Sequence, residues 1–160
     1  MVAIIKSHPK LTLIGKRQLM TFANDLSETL WQRFMPRRHE ITNRLGDDLY
    51  SVQIYPEDFD FGMNTTFTKW ATLPVSSGFA IPKDMEVMEI PEGLYAVFTY
   101  RGIPADAGPF FKSIYTEWLP ASQYVLDNRP HFEILGALYK HNDPASEECI
   151  WIPVKHDNGN

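Results

Sequence analysis

One order of landmarks occurs twice in this chain, and that duplication limits the fold more than any other feature. Leu30-Trp31-Gln32-Arg33-Phe34-Met35-Pro36 is echoed by Ile114-Tyr115-Thr116-Glu117-Trp118-Leu119-Pro120, and Thr72-Leu73-Pro74-Val75 by Trp151-Ile152-Pro153-Val154. A strand-like run lies between each pair, Ser51-Val52-Gln53-Ile54-Tyr55 first and His131-Phe132-Glu133-Ile134-Leu135 later. Two copies of one supersecondary unit in 160 residues must share a core. Related halves that meet about a pseudo-twofold leave a groove between them, and such a groove is a natural ligand site.

Each copy reads as β-α-β-β. Leu11 to Leu19 is strand-like, and Asp25 or Ser27 can cap a helix, with Glu28 at capping-box distance from Asp25. Leu30 and Phe34 keep helical spacing until Pro36 disturbs it. Strands follow at Leu49 to Tyr55 and Thr66 to Val75. In the second copy, Met85 to Ile90 and Gly93 to Tyr100 are strands broken by Pro91-Glu92-Gly93. Pro109 opens a helix with apolar positions Phe110, Phe111, Ile114, Tyr115, Trp118 and Leu119, which Pro120 ends. His131 to Leu138 and Cys149 to Lys155 complete the set. The expectation is one domain over residues 1–160, with repeats at about 11–77 and 84–156. Its class is α+β: an antiparallel-rich sheet with both helices on one face and a central groove.

Charge and composition narrow the function. A formal net charge of −5 with no Lys/Arg run argues against direct nucleic-acid binding. No segment approaches the ~20 apolar residues of a membrane span, and the N-terminus does not resemble a signal peptide. A single cysteine, Cys149, fits a reducing compartment and reads as a small strand residue. The expected location is the cytoplasm. Five histidines show no metal-ligand spacing, and there is no glycine-rich phosphate loop, so neither metal nor cofactor is expected.

Strand alternation then selects the groove residues. If Phe132 and Ile134 face the helices, Glu133 and His131 face away, as do Gln53 and Tyr55 in the first copy. Trp151 is expected to join Glu133, with Thr72 as its smaller counterpart. Aromatic residues make up 13% of the chain, enough for some to line a pocket. A carboxylate among Tyr55, Tyr115, Trp118 and Trp151 suits an amphipathic cation, because rings and carboxylate both attract positive charge. The competing reading is that Glu133 pairs with a cross-strand Lys or Arg, or faces solvent. His131 and Glu133, at i and i+2, could also form an acid/base pair.

Glu92-Gly93-Leu94-Tyr95-Ala96-Val97-Phe98, Ile114 to Pro120, Pro130-His131-Phe132-Glu133-Ile134 and Ile150-Trp151-Ile152-Pro153-Val154-Lys155 resemble the GyrI-like small-molecule-binding domain, also called the AraC-type effector-binding domain. The resemblance spans about 15 to 155. It implies tandem units around a groove for apolar or cationic compounds, with the groove glutamate at Glu133 and the aromatic of the second helix at Trp118. Where many members have a tyrosine two positions after the glutamate, this chain has Leu135. Members of the family act as effector domains, gyrase-inhibitor-like proteins, or hydrolases of cyclopropane-bearing toxins. The resemblance therefore implies binding of amphipathic small molecules for sensing or sequestration. Its alternatives are hydrolysis, with Glu133 as general base assisted by Tyr55 or Tyr115, and recognition of a protein partner such as a regulator or gyrase. The repeats leave no room for a helix-turn-helix module between them, and the chain is not expected to act by itself as a typical one-component regulator.

Overall fold

A computed structural model describes residues 1–158. Its strands are β1 (Ile4–His8), β2 (Leu11–Met20), β3 (Leu49–Ile54), β4 (Phe67–Pro74), β5 (Glu86–Ile90), β6 (Gly93–Arg101), β7 (Tyr124–Leu126), β8 (His131–Leu135) and β9 (Glu147–His156). All pairings are antiparallel, in the order β1-β6-β9-β8-β3-β4-β2-β5, and β7 pairs with the end of β9. This order reads the same from both ends once β1 is matched with β5, β6 with β2, β9 with β4 and β8 with β3. The two central strands pair Val52 with Phe132, positions that are equivalent in the duplicated sequence, so the pseudo-twofold passes between them.

Each half lends a strand to the other. β1, from the first half, pairs with β6, and β5, from the second, pairs with β2. The exchange also bends the sheet. Six interstrand spacings would separate β1 from β2 by about 29 Å in a flat sheet. Only Pro9 and Lys10 join those two strands, a link that spans at most ~11 Å between Cα atoms. The sheet must therefore curl and bring its ends together.

Curling makes a core on each face. On the concave side Leu13, Tyr50, Val52, Trp70, Ile90, Tyr95, Val97, Phe132 and Trp151 pack together, with Phe132 stacked on Trp151 at 5.3 Å between ring centroids. The other face carries both helices. α1 (Ser27–Phe34) buries Leu30 and Phe34 against Ile14, Ala71 and Leu73. The second helix begins as α2 (Gly108–Ser113) and places Ile114 against Ala96, Phe98, Ile150 and Ile152. Leu30 and Ile114, equivalent in the duplication, are both fully buried.

Proline shapes both helices. After Phe34 the chain tightens into a 3₁₀ turn, Met35–Glu40, with Pro36 near its start. The second helix instead runs past Pro120 to Ala121, through a widened π turn at Ile114–Trp118. Pro120 has no N–H to return to Thr116, and the Leu119 N–H closes on Ile114 O; the wider turn absorbs the missing bond. At the first helix the capping box does not form: Asp25 Oδ1 accepts from the Ser27 N–H at 2.9 Å in a local turn.

Candidate functional site

The alternation of β8 is as expected, but its sense is reversed. Glu133 pairs across the sheet with Ser51 on one side and Ile150 on the other. Ser51 pairs with Ala71, which packs under α1, and Ile150 packs under the second helix. Glu133 therefore lies on the helix-bearing face, in the gap between the two helices. Phe132 and Ile134 belong to the opposite, concave core. Periodicity separates two faces but does not name them, and here both faces are buried because the sheet curls.

This reversal brings some of the expected residues together and separates others. His131, Gln53 and Tyr55 share the face of Glu133. Tyr115 enters from the π turn, its hydroxyl sharing a hydrogen bond with His131 Nδ1 at 3.1 Å. Tyr55 meets the His131 ring edge-on at 4.8 Å. Gln53 is buried and its Nε2 donates to Ser51 Oγ at 3.2 Å. Trp151 is not in this site: it lies on the concave face against Phe132, Tyr95 and His8. Its counterpart is not Thr72 but Trp70, which opposes Val52 as Trp151 opposes Phe132. The Leu73-Pro74 and Ile152-Pro153 pairs are therefore not equivalent in the fold, being two residues out of register. Trp118 packs edge-on to Phe98 at 5.1 Å and stacks near Tyr124 at 6.4 Å, in the outer part of the helix core.

The aromatic wall is supplied instead by the loop after β3. Tyr55 stacks on Phe59 at 4.7 Å and touches Phe61 and Phe67; Phe61 crosses to Tyr115 at 5.0 Å. Asp58 and Phe61 both hold positive φ, 62° and 56°, so the loop turns sharply to present these rings. A cleft of about 340 Å³ opens beside them, lined by Tyr55, Phe59, Phe61, Arg129, His131 and Lys155 among others.

Electrostatics set Glu133 apart. Its Oε2 is shielded from solvent and has no hydrogen-bond partner. Burial pushes its pKa up to about 7; Lys69 and Gln53 pull the other way, while Glu148 adds to the rise. Burial also raises the Tyr115 and Tyr55 hydroxyls and lowers His131 to about 3, so the imidazole is neutral. Burial raises Glu148 as well, against the pull of Lys69. Lys69 and Glu148 were not singled out by sequence. The signal was in the register: Lys69 opposes Gln53, and Glu148 shares the parity of Ile150. Among the described residues no cluster of three or more His, Cys, Asp or Glu could hold a metal, and no helix is long and apolar enough to cross a membrane.

Two related half-sheets, with a partly buried glutamate between two helices, form the frame of a ligand-binding type of domain. The chain belongs to the GyrI-like small molecule binding domain family, which it matches over residues 1–155. It is 28% identical over 155 residues to the transcriptional regulator BrlR of Pseudomonas aeruginosa, covering 96% of this chain and 56% of that protein. The chain thus spans about half the length of that relative. The structure of SAV2435 bound to tetraphenylphosphonium is similar with TM-score 0.71 at 15% identity, covering 97% of this chain and 94% of that one. EcmrR in its DNA complex is similar with TM-score 0.71 at 15% identity, covering 98% and 58% respectively.

Proposed function

We propose that this small-molecule-binding domain takes amphipathic cations with aromatic bodies, in the gap between its helices, as a sensor or a sink for such compounds. The observation that carries the reading is Glu133 Oε2, buried and unpartnered beside Tyr55 and Tyr115. An ionised carboxylate in that position is costly unless something positive meets it. A lipophilic cation supplies the charge, and its apolar body replaces water against Tyr55, Phe59, Phe61 and Tyr115. The neighbouring fold of SAV2435, solved with tetraphenylphosphonium, supports this choice of ligand class. Entry is proposed through the cleft at Tyr55 and His131, with Phe61 leaving Tyr115 as the ligand arrives. DNA contact is no part of this chain's own role, and we place the activity in the cytoplasm, with a protein partner as its outlet if it signals.

Calorimetric titration with tetraphenylphosphonium tests the reading. Wild type is expected to bind more tightly as pH rises through about 7, as Glu133 ionises. Glu133→Gln is expected to lose at least about tenfold in affinity and the pH dependence with it. Equal affinity in both proteins at pH 8 would overturn the proposal.

A second reading has one observation in its favour. A carboxyl with pKa near 7 is half ionised at neutrality, as suits a general base, and Tyr55 or Tyr115 could orient an electrophile beside it. Turnover of a strained electrophile, abolished in Glu133→Gln while ligand is still bound, would establish hydrolysis.

A further inference from the structure

The duplication shows where the site departs from symmetry. Glu133 stands opposite Ile150, whereas its twofold mate Gln53 stands opposite Lys69. Lys69 and Ile150 are thus equivalent positions with opposite chemistry. The fold accepts an apolar side chain at that point in one half, so it does not by itself demand a lysine in the other. Lys69 projects from β4 onto the helix-bearing face, as its register with Gln53 and His131 requires. Its Nζ is part-buried and donates to Ser27 Oγ at 2.8 Å, in the first turn of α1.

That bond has a consequence for charge. Two partly buried carboxyls, Glu133 and Glu148, lie on this face, and the field of Lys69 reaches both, as it reaches Asp25 beside Ser27. Ser27 is fixed in turn, because its N–H donates to Asp25 Oδ1 at 2.9 Å. Ser27 thus holds the ammonium at the foot of α1 and leaves Glu133 Oε2 open.

We infer that Lys69 is the resident cation beside Glu133, and that its tether to Ser27 sets selectivity for charge by holding the ammonium close enough to compete with a bound cation without occupying Glu133. The inference rests on the cation-binding reading above. Removing the lysine removes a competing charge, and cations bind more tightly. Cutting the tether frees the ammonium to swing onto the carboxylates, and cations bind more weakly. These opposite signs distinguish the role from mere packing. Besides Lys69, the groups facing Glu133 are Gln53 and Ser51 from β3, Glu148 from β9, Tyr115 from the second helix, Tyr55 beyond β3, and His131 on its own strand.

The test has a ligand-free arm and a binding arm. In the first, carbon-13 NMR follows the Glu133 carboxyl through a pH titration. Lys69→Met is expected to move its midpoint upward, Ser27→Ala downward, and Lys69→Arg to leave it near wild type. In the second, run at a pH above the Glu133 midpoint of every variant so that the carboxylate is ionised throughout, tetraphenylphosphonium affinity is expected to rise about fivefold or more in Lys69→Met and to fall by a similar factor in Ser27→Ala. A Glu133 midpoint unmoved by both Lys69→Met and Ser27→Ala overturns the inference, as do affinity changes of the same sign. Midpoints that move as stated in a protein that binds no lipophilic cation uphold the charge role of Lys69 and reject the cation-binding reading alone.

Discussion

Protonation of Glu133 is linked to folding. Its folded pKa, about 7, lies above that of a carboxyl in the unfolded chain. Between about pH 4.5 and 7 the folded state therefore binds more protons than the unfolded one, and stability falls as pH rises through that window. Glu133→Gln is expected to be more stable than wild type at pH 8, by roughly 2–3 kcal/mol, with the gain vanishing near pH 5. Urea denaturation at the two pH values measures it; a variant less stable at both would show that the carboxylate is well paired after all. His131 has the opposite sign. Its pKa is depressed to about 3, so the stability it contributes is complete above about pH 6.5 and is lost as pH falls toward 3. Tyr115→Phe removes the hydroxyl bonded to His131 Nδ1 and is expected to cost about 1–2 kcal/mol at neutral pH, read from the denaturation midpoint.

At the scale of elements, most strands and both helices were legible because their apolar positions repeat at two or at three and four residues. β1 and β7 were not. Ile4 to His8 mixes apolar and polar residues at an edge, and β7 is only three residues long, so neither carries a full alternation. The order of the groove residues along β3 and β8 was legible, and Glu133, His131, Gln53, Tyr55 and Tyr115 do share one face. Which face was not, since alternation in a sheet with two cores has no absolute sense. Trp151 does lie opposite the helices, with Ile150, Ile152 and Val154 beneath them, and it is Glu133 that does not join it there; the packing of Trp151 makes a prediction. Trp151→Ala is expected to cost about 3–5 kcal/mol through the cavity left beside Phe132, while the protein that still folds binds tetraphenylphosphonium with unchanged affinity. Gly15 shows how tightly β2 and β4 meet: a Cβ there would lie 1.8 Å from Ala71 O. Gly15→Ala is expected to lower the thermal midpoint sharply or prevent folding, because backbone rather than a flexible side chain must yield.

Over the whole molecule, strand exchange makes the halves interdependent. β1 covers the edge of β6 and brings His8 against Trp151 and Phe132, so the first half completes the concave core of the second. The same curl that closes that core leaves the opposite face to the helices and opens the gap in which Glu133 stands. Two faces, three core clusters and two departures from symmetry account for the site: Glu133 for Gln53, and Lys69 for Ile150. The most direct test is where a lipophilic cation settles, read from intermolecular NOEs between tetraphenylphosphonium phenyl protons and the protein. Contacts to Tyr55, Phe61, Tyr115 and His131 are the predicted result. Contacts confined to His8, Tyr95, Phe132 and Trp151, on the concave side of the sheet, would contradict it.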